Sequence, residues 1–222
     1  MSRRLPIFPL DVVLFPHTPL SLHIFEPRYR SMLADCMESD ERFGIVPITA
    51  DGATPPPGTV GSTAHVCANQ QLPDGRSNIV VVGEERFVVR RYLDEPVPYA
   101  VAMVESFEDS DPGGVTDEQV SELRRLSQEY LEALHLINDS VAPETEFPED
   151  TESFSFQVSA ALDLDQETKQ ELLRIRATSE RIRVLLRLMP PLVRELGERA
   201  RIHGHARSNG KSHKSPRSGS HP

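Results

Sequence analysis

A glycine- and lysine-containing stretch near the C-terminus is the first candidate for chemistry. GHARSNGKS, residues 204–212, is similar to the G-x-x-x-x-G-K-[ST] loop that binds nucleotide phosphates. Its two glycines are one residue too far apart, no strand pattern precedes it and no helical pattern follows it. We therefore interpret this stretch as part of a polar, basic tail and expect no nucleotide site.

Nucleophilic catalysis is the second chemistry to consider. It requires a serine, cysteine or threonine that a nearby base activates. The sequence has no G-x-S-x-G elbow, and Lys169 is the only one of its three lysines that precedes the tail, so a Ser-Lys dyad in the folded part would have to use Lys169. Lys169 stands among charged and polar neighbours in KQELLRIR. We expect a solvated lysine on a helix surface and no catalyst.

Metal binding is the third chemistry to consider. The histidines that precede the tail are isolated from one another: His17, His23, His65 and His135. The tail histidines lack ligand spacing, and the two cysteines, Cys36 and Cys67, do not form a C-x-x-C motif. We expect two buried free thiols, no metal site and no cofactor.

The charge distribution limits the classes of partner. The formal net charge is −10, but residues 201–222 contain five basic residues and no acidic one, so residues 1–200 carry −15. A body this acidic repels a phosphate backbone, and we expect no nucleic-acid binding by the folded part. No apolar run approaches the roughly 20 residues of a membrane span, and Asp11 interrupts the N-terminal apolar stretch, unlike a secretory signal. We therefore expect a cytoplasmic protein without membrane segments.

The first hundred residues have the pattern of short strands and turns. Five prolines interrupt the apolar stretch Leu5–Tyr29, and the last of them, Pro27, has the position of a first-turn proline, which predicts a short helix. Asp74 and Gly75 lie between two extended runs and predict a long hairpin. Because no βαβ alternation follows, we expect a mostly antiparallel sheet or an open barrel.

Beyond about residue 115 the pattern is helical. Thr116 and Gln119 form a capping-box pair ahead of an apolar helical stripe. Further helices are predicted over about 151–162, from about residue 166 after the cap residue Asp165, and from Thr178. Pro190 and Pro191 fall inside the last of these helices and are expected to kink or break it.

Two residues at the start of the first predicted helix are candidates for ligand contact. In HIFEPRYR, residues 23–30, Glu26 is placed to interact with the free amides of the helix start, and Arg28 could pair with a carboxylate, for example one across the sheet. The alternative is that Arg28 and Tyr29 face a ligand groove. We favour the structural role and keep Arg28 and Tyr29 as candidate peptide-binding residues.

These motifs carry a family resemblance. LPIFPLDVVLFPHTPLSLHIFEPRYRSML, residues 5–33, resembles the opening of the substrate-binding amino-terminal domain of the ATP-dependent Lon protease. The resemblance continues in order through FGIVPI (43–48), VGSTAHV (60–66), LPDGR (72–76), GEERFVVRRY (83–92) and PYAVAMVE (98–105). It extends into the helical part at residues 153–189, and it covers about residues 5–196 in all. Because several distinct motifs agree in order and spacing, the resemblance is specific.

The resemblance implies an α+β fold class with one substrate-binding domain. An amino-terminal six-stranded, partly open β-barrel-like lobe with one short helix is expected at residues 1–114, an α-helical bundle lobe at 115–200, and a disordered basic tail at 201–222. Lon protease continues into an ATPase module and a Ser-Lys protease domain, and this chain ends before either could begin. We therefore expect a stand-alone, non-enzymatic version of the domain.

Three functions are compatible with these observations. The first, implied by the resemblance, is a module that binds unfolded or degron-like polypeptide segments or a partner protein, and an exposed strand edge could take such a segment by strand addition. The second is a small-molecule-binding protein or a hydrolase with an unrecognised site. The third is an adaptor that acts through its basic tail. The sequence gives no indication of the oligomeric state.

Overall fold

The computed structural model describes residues 2–49, 52, 54–110, 114–140 and 146–210, without the side chains of 204–210. The chain divides into two compact units. The first consists of Met1–Val115 and Pro148–Arg181, and the second consists of Thr116–Phe147 and Ile182–Pro222. The domain boundaries expected from the sequence, 1–114, 115–200 and 201–222, stay predictions.

One mixed sheet dominates the first unit. Its strands are β1 (Ser2–Leu10), β2 (Pro19–Ile24), β3 (Arg42–Pro47), β4 (Val60–Gln71), β5 (Ser77–Leu93) and β6 (Ala100–Ser106). The strand order is β2-β5-β4-β3-β1-β6, and β6 also pairs with β5. Five strands therefore form a closed cycle of pairings, and β2 remains outside it as an edge strand. The expected six-stranded, partly open barrel-like lobe is confirmed, and β1–β3 is its one parallel pair among the described residues.

The length of β5 explains how the cycle closes. Its first half pairs with β2 and its second half pairs with β6, so a single 17-residue strand serves both the edge and the barrel. Register shifts interrupt β4–β5 and β5–β6. Such bulges increase local twist and bend strands, which is what a closing sheet requires.

The hairpin predicted from Asp74 and Gly75 is confirmed. Gly75 has a φ of 80°, in the left-handed region that favours glycine. The turn is closed by two backbone hydrogen bonds, from Gly75 N to Leu72 O at 2.9 Å and from Leu72 N to Arg76 O at 2.7 Å. The turn therefore sets the antiparallel register of the two longest strands.

Adjacent residues of β1 contribute to two separate apolar clusters, because successive side chains of a strand point to opposite faces. Ile7 belongs to a cluster with Phe87 of β5, whereas Phe8 packs in a second cluster with Phe43 of β3. The short helix α1 (Pro27–Met37) covers this second cluster with four buried side chains, those of Tyr29, Met32, Leu33 and Cys36. Burial of these four residues fixes α1, and with it the β2–α1 junction, against the barrel.

The predicted helices are present. They are α2 (Asp117–Ile137), α3 (Thr151–Ala161), α4 (Gln166–Arg174) and α5 (Thr178–Gly210). The capping box of Thr116 and Gln119 is confirmed, and Asp165 accepts a hydrogen bond from Thr168 N at 2.8 Å as the cap of α4. Residues 211–222 of the predicted tail lie outside the described residues.

The helix α5 continues through Pro190 and Pro191, so a helix break at this point was a wrong expectation. A proline inside a helix removes its own N–H donor and leaves one carbonyl of the preceding turn without an intrahelical partner. The apolar residues on both sides of the pair, Met189 and Leu196, are buried. Their burial stabilises the helical path across the two missing bonds.

Three buried charges hold the helical segments of the first unit to the barrel. Arg86 of β5 and Arg181 of α5 are 3% and 0% exposed, and both pair with Asp109. Arg86 also donates to the carbonyl oxygens of Leu173 and Ile175 at 2.7 and 2.8 Å, at the end of α4. Burial lowers the pKa of Arg86, and the Asp109 carboxylate opposes that shift.

Candidate peptide-binding groove

An apolar groove of about 240 Å³ lies where β1 and β2 end and α1 begins. β1 and the residue after it contribute Phe8, Pro9, Leu10 and Asp11; β2 and its extension contribute Leu22, His23, Ile24 and Phe25; the helix start contributes Glu26, Arg28 and Tyr29; Ile48 follows β3. All of these residues belong to the first unit. The groove is therefore framed by strand ends and a helix start that the barrel core holds in place.

The two candidate residues from the sequence, Arg28 and Tyr29, both line this groove. Tyr29 is 6% exposed, and its ring centroid lies 4.1 Å from that of Phe8, so it belongs to the core as well as to the groove wall. The Arg28 guanidinium lies 4.5 Å from the centroid of the Tyr29 ring. Burial raises the pKa of the Tyr29 hydroxyl above its ordinary value. A role of either residue in peptide binding stays a prediction.

Glu26 does not interact with the helix start in the way that the sequence predicted. Its carboxylate makes no capping hydrogen bond and instead pairs with Arg28 at 2.9 Å. The Glu26 carbonyl oxygen accepts from Tyr29 N and Arg30 N at 3.1 and 3.0 Å. Arg28 does pair with a carboxylate, as the sequence predicted, but the partner is Glu26, two residues away in the chain, and not a residue across the sheet.

Exposed apolar side chains border the groove. Phe25 is 59% exposed and Ile48 is 39% exposed, and both belong to the lining. Val12, next to Asp11, is also exposed. Contiguous exposed apolar surface is typical of interaction sites. Sequence reasoning missed Phe25, although the alternation of β2, in which Ile24 is buried, already directs the next side chain outward.

The free edge of β2 runs beside the groove. Gly83 N donates to Thr18 O at 3.0 Å, and the β2–β5 register continues from there without a shift. Antiparallel strands alternate between hydrogen-bonded and non-hydrogen-bonded residue pairs. Ser21 and His23 fall on the non-hydrogen-bonded positions, so their backbone N–H and C=O groups point away from β5. Both residues are exposed, and no other strand of the described chain pairs with this edge.

The groove carries little charge. Arg28 and Glu26 neutralise one another, which leaves the exposed Asp11 carboxylate as the net charge of the lining with His23 neutral. His23 Nδ1 donates a hydrogen bond to Asn78 Oδ1 at 2.7 Å, and the His23 ring stacks on Phe25 with centroids 6.0 Å apart. The site can therefore take apolar side chains and a peptide backbone, with a weak bias against acidic ligands.

A second, polar cleft of about 770 Å³ is a candidate for a small-molecule site. Three of its five acidic residues are used in ion pairs: Glu84 with Arg42 at 2.7 Å, Glu85 with Arg3 at 2.8 Å, and Asp109 with Arg86. Burial raises the pKa of Glu152, a further lining residue. The first two pairings join strands to one another and the third belongs to the buried Arg86–Asp109–Arg181 cluster, so these three carboxylates have structural partners.

Two expectations about single residues were wrong. Cys36 is buried, its pKa is raised to about 12 chiefly by burial, and its Sγ donates to Arg42 O at 3.2 Å, but Cys67 is exposed on β4 rather than buried. Lys169 is half-buried rather than solvated, because its Nζ donates to Ala160 O at 3.2 Å near the end of α3. Burial lowers the pKa of Lys169. In the described part of the chain no three His, Cys, Asp or Glu side chains are grouped to hold a metal ion.

No described helix combines the length and the apolar character that a membrane crossing requires.

Several curated proteins and solved structures similar to this chain are named Lon protease or Lon N-terminal domain. Lon protease of Rhizobium meliloti (strain 1021) is 28% identical over 197 residues, which cover 85% of this chain and 24% of that protein. Lon protease 1 of Hydrogenovibrio crunogenus is 28% identical over 200 residues, with 86% and 24% covered. The chain thus spans about a quarter of the length of these relatives.

Two solved structures share the fold. The Lon N-terminal domain protein from Xanthomonas campestris aligns with a TM-score of 0.66 at 24% identity and covers 85% of this chain and 99% of that one. The N-terminal domain of Mycobacterium avium complex Lon protease aligns with a TM-score of 0.60 at 19% identity, with 83% and 97% covered. The family model of the ATP-dependent protease La (LON) substrate-binding domain matches residues 4–190. The chain therefore belongs to the LON substrate-binding domain family.

Proposed function

We propose that this chain is a non-catalytic recognition module that binds unfolded or degron-like polypeptide segments in the groove between β1, β2 and α1. The family supplies the general role of substrate recognition. The observation that carries the proposal is the exposed apolar lining, Phe25 and Ile48, beside a strand edge that pairs with no further strand among the described residues. A partner protein that offers such a segment would bind in the same way.

The size of the groove favours segments over folded surfaces. A volume of about 240 Å³ accepts one or two side chains rather than the face of a domain. Folded proteins bury most of their large apolar side chains and pair most of their backbone groups, whereas unfolded chains offer both. The groove therefore distinguishes the two states of one client.

Free cysteines, Cys36 and Cys67, are consistent with a reducing compartment, and we propose that this activity takes place in the cytoplasm.

The test compares one client sequence in two states. Fluorescently labelled α-lactalbumin is prepared in its native form and in a reduced form whose cysteines are blocked with neutral carboxamidomethyl groups. We expect binding of the reduced form, measured by fluorescence anisotropy against the full chain, and little binding of the native form. Equal binding of both forms, or of neither, would contradict the proposal.

A substitution connects that binding to the groove. Burial of a phenylalanine side chain is worth about 1.5–3 kcal/mol, and Phe25 keeps 59% of its surface open in the free protein. A client that covers Phe25 therefore gains about 1–2 kcal/mol from it, and Phe25→Ala should weaken binding about 5- to 30-fold. Leu136→Ala is the matched control, since Leu136 is 63% exposed and lies in the second unit. Equal effects of the two substitutions on binding would show that the client does not bind in the groove.

A further inference from the structure

We propose that the bound segment is an extended strand that adds to the free edge of β2, with alternating apolar residues over the groove and basic residues at its flanks. This inference rests on the proposed function and specifies the ligand of the same site. It assigns the backbone of Ser21 and His23 as the recognition element. The side chains of the groove then select among strands.

The backbone geometry of β2 supplies the first argument. Ser21 and His23 each direct one N–H and one C=O outward, at positions two residues apart along a strand, or roughly 6.6 Å. Only an extended chain repeats its own donors and acceptors at that spacing, because a helix satisfies its groups internally. The edge therefore recognises the conformation of a ligand before its sequence.

The edge also lacks the features that usually prevent pairing. Natural edge strands are blunted by lysines, inward-pointing charges, bulges or prolines. β2 carries Pro19 at its first position only, its exposed residues Ser21 and His23 are uncharged when the imidazole is neutral, and its pairing with β5 shows no register shift. A regular, uncharged and exposed edge is what a pairing surface requires.

The two faces of β2 define the pattern of the incoming strand. Leu20, Leu22 and Ile24 point toward the apolar side, and Ser21 and His23 point toward the opposite side, with the His23 ring also bordering the end of the groove where it stacks on Phe25. The opposite side is a shallow surface bordered by Asn69, Gln70 and Asn78. A strand added at this edge continues both faces, so its residues alternate between the apolar groove and a polar surface.

Charge determines the flanks of the segment. Asp11 is the net charge of the groove lining, and residues 1–200 carry −15. Lysine or arginine beside an apolar strand is therefore attracted, and acidic flanks are repelled. A second copy of this chain is the less suitable occupant, because two copies of so acidic a body repel one another.

A peptide experiment tests the backbone hydrogen bonds of the bound segment directly. Overlapping 12-residue peptides that tile α-lactalbumin are assayed against the full chain, and the tightest binder is resynthesised with a single N-methyl group at each successive position. N-methylation removes one N–H without changing the side chain. Strand addition predicts a period-two profile, in which every second central position weakens binding at least about fivefold, the scale of one hydrogen bond, and the positions between them change little.

A pair of protein variants provides the reciprocal test. Ser21→Pro removes the outward N–H of β2, which the β2–β5 ladder does not use, whereas Ser21→Ala removes only the side chain. We expect Ser21→Pro to weaken the same peptide about fivefold or more and Ser21→Ala to bind as the unsubstituted chain does. Thermal unfolding monitored by circular dichroism checks that both variants are folded. If Ser21→Pro is not folded, His23→Pro repeats the test at the second outward position.

The outcomes separate this inference from the proposed function. Binding that depends on Phe25 but shows no period-two profile would keep the groove and overturn strand addition. A profile with a period of three to four would indicate a bound helix and overturn it as well. Binding of none of the peptides would overturn both proposals, and concentration-dependent dimerisation through β2, detected by sedimentation and abolished by Ser21→Pro, would make a second copy the occupant.

Discussion

The removal of Asp109 is the sharpest test of how the first unit is held together. The Asp109 carboxylate is almost completely buried and accepts hydrogen bonds from Arg86, from Arg181 Nη2 at 2.9 Å and from Thr178 Oγ1 at 2.5 Å. Asp109→Ala leaves two guanidinium groups, 3% and 0% exposed, without this counter-ion. The Arg181 guanidinium also stacks on Phe156 at 3.8 Å and cannot turn into solvent without leaving the core.

The structure sets the size of the effect. Removal of one partner from a buried ion pair costs about 3–5 kcal/mol, because the other charge stays buried. Two cations share Asp109, so we expect Asp109→Ala to lower the free energy of unfolding by at least about 4 kcal/mol. This is a large part of the roughly 5–15 kcal/mol that stabilises a typical domain. Arg181→Met added to Asp109→Ala should recover part of the loss, since it removes one unpaired charge.

Urea unfolding followed by circular dichroism measures these differences. The control is Glu122→Ala, which removes a carboxylate that pairs with Arg125 at 2.7 Å on the exposed surface of α2 and should change the midpoint little. Equal shifts for Asp109→Ala and Glu122→Ala would refute the reasoning. The reasoning would also be refuted if adding Arg181→Met to Asp109→Ala lowered the free energy of unfolding by as much as Arg181→Met does in the unsubstituted chain. The two sites would then be independent.

Two further predictions concern the thiols and the phenols. Ellman's reagent should label Cys67 rapidly in the native chain and Cys36 only on unfolding, since Cys36 is buried with a pKa raised to about 12; two rapid thiols would contradict this. Burial also raises the pKa values of Tyr92 and Tyr99 to about 12 from 10.0, so an unfolded chain releases these protons first. Stability should be unaffected by these groups below about pH 9, where Cys36 begins to ionise in the unfolded chain, and should fall as the pH rises toward 12. Urea unfolding midpoints between pH 8 and pH 11 measure this decrease in stability, and a constant midpoint would contradict the prediction.

Local signals in the sequence predicted most of the secondary structure, with the helix break expected at Pro190 and Pro191 as an exception. The Asp74–Gly75 turn, the Thr116–Gln119 capping box and the Asp165 cap depend on residues within a few positions of one another, and each is present. Pro27 starts α1 for the same reason, since its fixed φ suits a first turn. For Arg28 the sequence predicted a carboxylate partner without identifying it, and the structure shows that the partner is Glu26.

Long-range contacts could not be read from the sequence. Arg86, Asp109 and Arg181 show no spacing that relates them, yet they form one buried cluster. Cys67 and Lys169 follow the same rule: their exposure depends on which face of a strand or helix end another element covers. Side-chain type restricts what a residue can do when buried, and only the packing decides whether it is buried.

The sequence by itself determined the strands, the turns, the helix caps and the family to which the chain belongs, because these depend on local propensity and on motifs that agree in order. Tertiary structure alone decided where a ligand could bind. The pairing of β6 with both β1 and β5 closes the cycle of strands and leaves β2 with an edge that no other described strand pairs with. The burial of α1 then holds the helix start beside that edge, where Phe25 remains exposed. A free edge is a property of the strand order, and no single strand contains that information.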